Sequence, residues 1–180
     1  MRVLTALAAV CLGGAALAEG ALPFDVGGAF RLVDQTGAER TEEDPGGRHQ
    51  LLFFGYANCP GICSAALPMM DQVSREVDVV PVMITIDNAL DTVETMGPAL
   101  AKVSDRILGL TGDRAALDVA YDAFRIEFEK VMDDPEHGPI YAHGSFIYLL
   151  SPKGEVLTLL PPVLPPAEVA RIVKRYLDKG

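Results

Sequence analysis

Positive charge is scarce in this 180-residue chain. Fifteen lysines and arginines stand against 25 aspartates and glutamates, for a formal net charge of −10. That balance argues against nucleic acid and against anionic membrane surfaces as partners, because both reward cationic faces. Cysteine is scarce too. Three residues cannot build a disulfide framework, and a chain this long needs none, since it can bury a core of its own. There is no internal repeat and no low-complexity segment. There is no glycine loop placed to cradle a phosphate, and no Ser-His-Asp constellation with supporting context. What is left is one packed domain in which 49% of residues are apolar.

The N-terminus inflates that figure. Met1-Arg2 leads into an apolar stretch over residues 3–17 that closes on the small-x-small triplet Ala16-Leu17-Ala18. This predicts a signal peptide over residues 1–18 and a mature domain over residues 19–180. The stretch is short beside the roughly 20 apolar residues of a membrane span; left uncleaved, it would tether the domain to a membrane. Either way the expected location is the periplasm or another exported compartment. Cys11 follows Val10, where a lipoprotein site expects a small residue, so it leaves with the signal. The mature chain then carries Cys59 and Cys63 alone, in a compartment where unprotected thiols tend to pair.

Along the chain, residues 30–33 and the turn at Gln35-Thr36-Gly37 suggest a small strand or hairpin edge, and residues 41–48 a loop. The short apolar run at 51–56 reads as a buried strand, closed by a glycine and then by Pro60. A helix follows over 64–77, its regular part delayed by Pro68. Residues 79–86 read as a second buried strand. A helix over 91–104, capped by Asp91 or Thr92, leads to a short strand at 106–110 and a helix at 114–124. The acidic tract 127–138, broken by Pro135 and Gly138, reads as an exposed insertion. Strands at 145–150 and 156–160 form a hairpin across Ser151-Pro152-Lys153-Gly154. A last helix over 166–177 carries Val169, Ile172, Val173 and Tyr176 on one face. Alternating strands and helices that end in a hairpin and a helix predict an α/β fold: a thioredoxin-like mixed sheet flanked by helices.

Cys59 and Cys63 are the chemical centre of the sequence. They lie where the 51–56 strand hands over to a helix N-terminus, and residues four apart on a helix share one face. A helix N-terminus favours thiolate over thiol, and thiolate both attacks disulfides and ligates soft metals. A merely structural disulfide here would close a tiny loop and stabilise little, which favours redox or metal use. As a redox pair, Cys59 attacks and Cys63 resolves. The Cys-x-x-x-Cys spacing argues mildly against general disulfide exchange, which more often uses Cys-x-x-Cys. A peroxide-reducing role is a third reading, since thioredoxin-like folds host that chemistry as well.

Four stretches, in order, resemble the Sco/SenC proteins, exported thioredoxin-fold copper chaperones associated with cytochrome c oxidase assembly. They are residues 51–63 with Leu67 (LLFFGYANCPGIC), 85–92 (TIDNALDT), 109–113 (GLTGD) and 143–154 (HGSFIYLLSPKG). The resemblance implies a copper site made of Cys59, Cys63 and His143, with His143 at a strand start. It also implies an oxidase subunit that receives copper, or another copper chaperone, as partner. Two sulfurs and one imidazole form a soft site that suits Cu(I) and also holds Cu(II).

This chain departs from the family at Gly61 and Ala142, where the family often has Asp, at Ser64 and Gly144, and at Asn88-Ala89-Leu90. Acids of that kind orient ligands and tune their basicity, so affinity, redox potential or partner choice is expected to differ. Met69 and Met70 read as core filling, and His49 and His137 as solvated loop residues. Tyr56 and Phe146 are expected to pack the core beside the site.

Overall fold

The computed structural model describes residues 22–178, apart from Pro45 and Ile62. The expected signal peptide and Cys11 lie outside the described residues.

A seven-stranded mixed sheet forms the centre of the molecule. Its spine is three parallel strands, β3 (His49–Gly55), β4 (Val79–Thr85) and β5 (Leu108–Thr111). On the β5 side it is extended antiparallel by β1 (Arg31–Asp34) and β2 (Glu39–Thr41). β6 (Phe128–Asp134) and β7 (Gly138–His143) form a separate two-stranded ribbon. Beyond β3 the sheet continues antiparallel with β8 (Ile147–Leu150) and β9 (Val156–Leu160).

Alternation along β3 explains why the sheet takes helices on both faces. Leu51 and Phe53 point to a core shared with α1 (Cys63–Glu76), α2 (Val93–Ala101) and α4 (Pro166–Leu177). Leu52 and Phe54 point to a core built on α3 (Arg114–Phe124) through Leu117, Ala120, Tyr121 and Phe124. The helical face expected at the C-terminus forms in part: Val169 and Val173 are buried, while Ile172 and Tyr176 are half-buried against the same cluster. The thioredoxin-like reading holds.

Several local expectations need correction. The 127–138 tract is largely exposed, but most of it is strand β6, paired with β7, whose first residue Gly138 leaves the turn with φ +79°. α1 runs through Pro68 instead of waiting for it, so it starts at Cys63. α2 is capped at Thr92, whose amide donates to the Thr95 hydroxyl, and Asp91 is left for another task. His49 is the first residue of β3, half-buried, not a loop residue. Phe146 is half-exposed and does not join the core. Met69 and Met70 are buried as expected. No helix among the described residues is long and apolar enough to cross a membrane.

Candidate metal centre

β3 ends at Gly55, and the chain turns through Tyr56 to Gly61 before α1 begins at Cys63. The Cys59 amide donates to the Tyr56 carbonyl at 3.2 Å, and the Ser64 amide and hydroxyl cap the Gly61 carbonyl at 3.1 and 2.6 Å. Cys59 therefore sits on the turn and Cys63 on the first position of the helix, rather than both on one helical face. Glycine at 55 is a packing requirement: a Cβ there would lie 2.9 Å from the Cys63 sulfur and 2.6 Å from the Phe53 ring.

His143 arrives from elsewhere. It precedes the apolar strand β8 as expected, but it is itself the last residue of a strand that was not expected, β7. The ribbon leans on the body through rings: Tyr141 against Tyr56 at 5.3 Å, and Phe128 against Tyr121 at 5.1 Å. The Tyr141 amide donates to the Tyr56 phenol at 3.3 Å. The imidazole meets Phe53 and Tyr56 edge-on at 5.9 and 6.1 Å. Its Nδ1 donates to the Gly144 carbonyl at 2.8 Å, which turns Nε2 toward the sulfurs. Nε2 is 3.9 Å from the Cys63 sulfur.

The ligand atoms of Cys59, Cys63 and His143 all lie within 4.8 Å of one another. Among the described residues they form the only such group able to hold a metal ion. Both cysteines are free thiols, Cys63 buried and Cys59 half-buried. Cys59 borders a groove of about 340 Å³ lined by Tyr56, Pro60, Gly61, Tyr141 and His143 among others.

The two sulfurs are electrically unlike. The Cys63 thiol donates to Cys59 and is the main reason that the Cys59 thiol falls to about 4; burial opposes, while His143 and the amides of Cys63 and Gly61 help. The helix N-terminus thus stabilises a thiolate, as its position requires. Cys63 is pushed up, first because its proton is held by Cys59 and then by burial beside that negative charge. Burial also pushes the Tyr56 phenol up to about 12, against the Tyr141 amide and with help from the Cys59 charge. Tyr56 stays a neutral wall.

Of the other candidates, His137 is in an exposed turn, its Nδ1 3.0 Å from Asp134, far along the ribbon from the thiols. The departures from the family pattern have structural meaning. A Cβ at Gly61 would sit 3.9 Å from the Cys59 sulfur, so the missing side chain leaves that sulfur open on one side. Ala142 is exposed, with Glu129 opposite it in the ribbon. Tyr141, Gly55 and Asp91 were not legible as site residues. The first lies on β7, just past the acidic tract, in a stretch for which no strand was expected, and the last looked like a second helix cap.

Comparison with known proteins follows the same lines. The SCO1/SenC family model matches residues 18–178. The chain is 33% identical over 139 residues to the mitochondrial SCO1 homolog of Homo sapiens, covering 73% of this chain and 46% of that one. It is 31% identical over 138 residues to the SCO2-like protein of Rickettsia felis, covering 73% and 67%. It therefore spans less than half the length of the human relative. Among solved structures, Bradyrhizobium japonicum ScoI with copper bound superposes with a TM-score of 0.72 at 29% identity, over 84% of this chain and 99% of that one. Yeast Sco1 with copper bound gives 0.78 at 26% identity, over 87% and 91%.

Proposed function

Because the chain belongs to the SCO1/SenC family, we propose that it is an exported copper carrier that binds the ion through Cys59, Cys63 and His143 and passes it to a respiratory oxidase subunit or another copper chaperone. The observation that carries this reading is the convergence of three soft donor atoms within 4.8 Å, on a framework shared with copper-bound structures. The set suits Cu(I) and can also hold Cu(II). At the sulfurs, loading removes one proton: Cys59 is already thiolate, and Cys63 must give one up. Three ligands at the edge of an open groove leave a side from which a receiving protein's own ligand can enter. The charged start and apolar stretch of the N-terminus support export.

The asymmetry of the thiols favours a second reading, a thiol–disulfide oxidoreductase. Cys59 thiolate attacks a partner disulfide and releases one partner sulfur as thiolate, which takes up a proton. Cys63 then loses its proton and attacks Cys59. The second partner thiol leaves, and two electrons have moved from the cysteine pair to the partner. Such a protein would reduce the metal-site cysteines of its client without carrying copper itself.

The test is titration of reduced residues 19–180 with Cu(I) and Cu(II), wild type beside His143→Ala. The carrier reading expects stoichiometric uptake by wild type. In the variant it expects a loss of more than about a hundredfold in affinity, beyond what losing an outer hydrogen-bond partner costs. Disulfide exchange should survive the substitution. If wild type takes up no stoichiometric copper, the carrier reading falls and the redox reading stands alone.

A further inference from the structure

Asp91 is 4% exposed, yet among the described residues no lysine or arginine side chain bonds its carboxylate. One oxygen, Oδ2, accepts the Ala57 amide at 2.9 Å and the Thr85 hydroxyl at 2.7 Å. Its backbone carbonyl accepts the Thr111 hydroxyl at 2.7 Å, and its amide donates to the Asp87 carbonyl at 2.8 Å. One buried residue thus ties together the chain leaving β3, the end of β4 and the end of β5. Burial pushes its carboxyl up, against the Thr85 hydroxyl and the Ala57 amide, with the Asp87 charge adding to the rise. A carboxylate held by neutral donors in such a place is costly, and hydrogen bonds to it are stronger than neutral ones.

Ala57 is two residues before Cys59. Its amide is held by a side chain from outside the turn, whereas the Gly61 amide turns inward to the Cys59 sulfur. The partners of Cys59 are fixed by other means. Cys63 is buried in the first turn of α1, and His143 is pinned by the Gly144 carbonyl and two rings. Cys59 alone is on a turn, half-exposed, next to a glycine that leaves its sulfur uncovered.

We propose that Asp91 is a positioning residue: through the Ala57 amide it sets the turn that holds the Cys59 sulfur against Cys63 and His143. The proposal rests on the reading of these three as the working site, for copper or for disulfide chemistry. It makes the sulfur-to-sulfur approach depend on a carboxylate that touches neither sulfur.

The test compares wild type, Asp91→Ala and Asp91→Asn in the intact protein. The first readout needs no metal. It is the equilibrium constant for closing the Cys59–Cys63 disulfide against oxidised glutathione, which yields two reduced glutathiones per disulfide and reports how closely the sulfurs are held. The second is Cu(I) affinity by competition with a chelator. Asp91→Ala should lower both by about tenfold or more, the range seen when a group that orients a ligand is lost. Asp91→Asn keeps an acceptor oxygen for the Ala57 amide and should restore both to within about threefold. Thermal unfolding of each variant separates positioning from stability, since both are expected to melt below wild type while only Asp91→Ala loses the site. Should Asp91→Ala fail to fold, Asp91→Ser, whose hydroxyl cannot reach Ala57, takes its place with the same expectation. Wild-type disulfide closure in the truncated variant overturns the proposal, and so does an Asn variant as impaired as it. A wild type that closes its disulfide but binds no copper removes the carrier reading and leaves Asp91 to be judged by the glutathione equilibrium.

Discussion

Cys63 and His143 reach the same point from opposite kinds of structure. Cys63 begins a helix against β3, where every residue from Gln50 to Gly55 is buried and both neighbouring strands are paired. His143 ends a ribbon whose outer strand, β6, is exposed from Glu129 to Asp133. β3 is locked by hydrogen bonds on two sides and by side chains on two faces. The ribbon pairs only with itself and meets the body through the rings of Phe128, Tyr141 and His143 against Tyr121, Tyr56 and Phe53, with one amide-to-phenol bond. One part of the site is therefore tied to global stability, while the other is held by a contact weak enough to be varied separately.

Four substitutions test that contrast. Phe53→Ala removes a fully buried ring from the β3 side and should cost about 3–5 kcal/mol in denaturant unfolding, whereas Met132→Ala on the ribbon should stay within about 0.5 kcal/mol. Equal costs would mean that the ribbon belongs to the same cooperative unit. At the opposite edge of the sheet, Asp34 shows what a hairpin locked into the body looks like. Burial pushes its carboxyl up, but Thr36, Arg40 and the amides of Thr36 and Ala38 outweigh that and hold it at about 2. Its folded value lies below the unfolded one, so its contribution of about 2 kcal/mol is complete above roughly pH 4 and is lost as pH falls toward 2. Asp34→Asn should erase that part of the acid dependence in unfolding titrations between pH 2 and 5. A smaller effect than that at Asp34 belongs to Tyr56→Phe, which takes the acceptor from the Tyr141 amide. Stability should drop by about 1 kcal/mol, while copper dissociation in stopped flow quickens about threefold as the histidine arm loosens. An unchanged rate would show that the rings alone hold the arm.

The β3 side was readable from sequence because several signals agree there. A short aromatic-rich run, a closing glycine and a proline leave few alternatives to a buried strand with a turn after it. The β8–β9 hairpin and α4 were readable for the same reason. The ribbon was not. In β6, Glu129, Lys130, Val131, Met132 and Asp133 are all exposed, so the period-2 signal that marks a half-buried strand never forms. Its β-bulge between Lys130 and Met132 blurs the register further. That error carried over to His143, placed before a strand without the strand that it closes. The Cys59–Cys63 pairing survived a wrong local picture, because turn and helix start bring the sulfurs together as a helical turn would have. Phe146 failed differently: a strand was extended two residues too far, and a residue that precedes β8 was given a core position that it does not have.

The separateness of the two-stranded ribbon has an evolutionary consequence. Its tip can gain or lose residues, or exchange one charge set for another, without shifting the register of a single pair in the main sheet. Lineages can thus retune who approaches the thiols, and how firmly the imidazole is presented, while inheriting the sulfur chemistry unchanged.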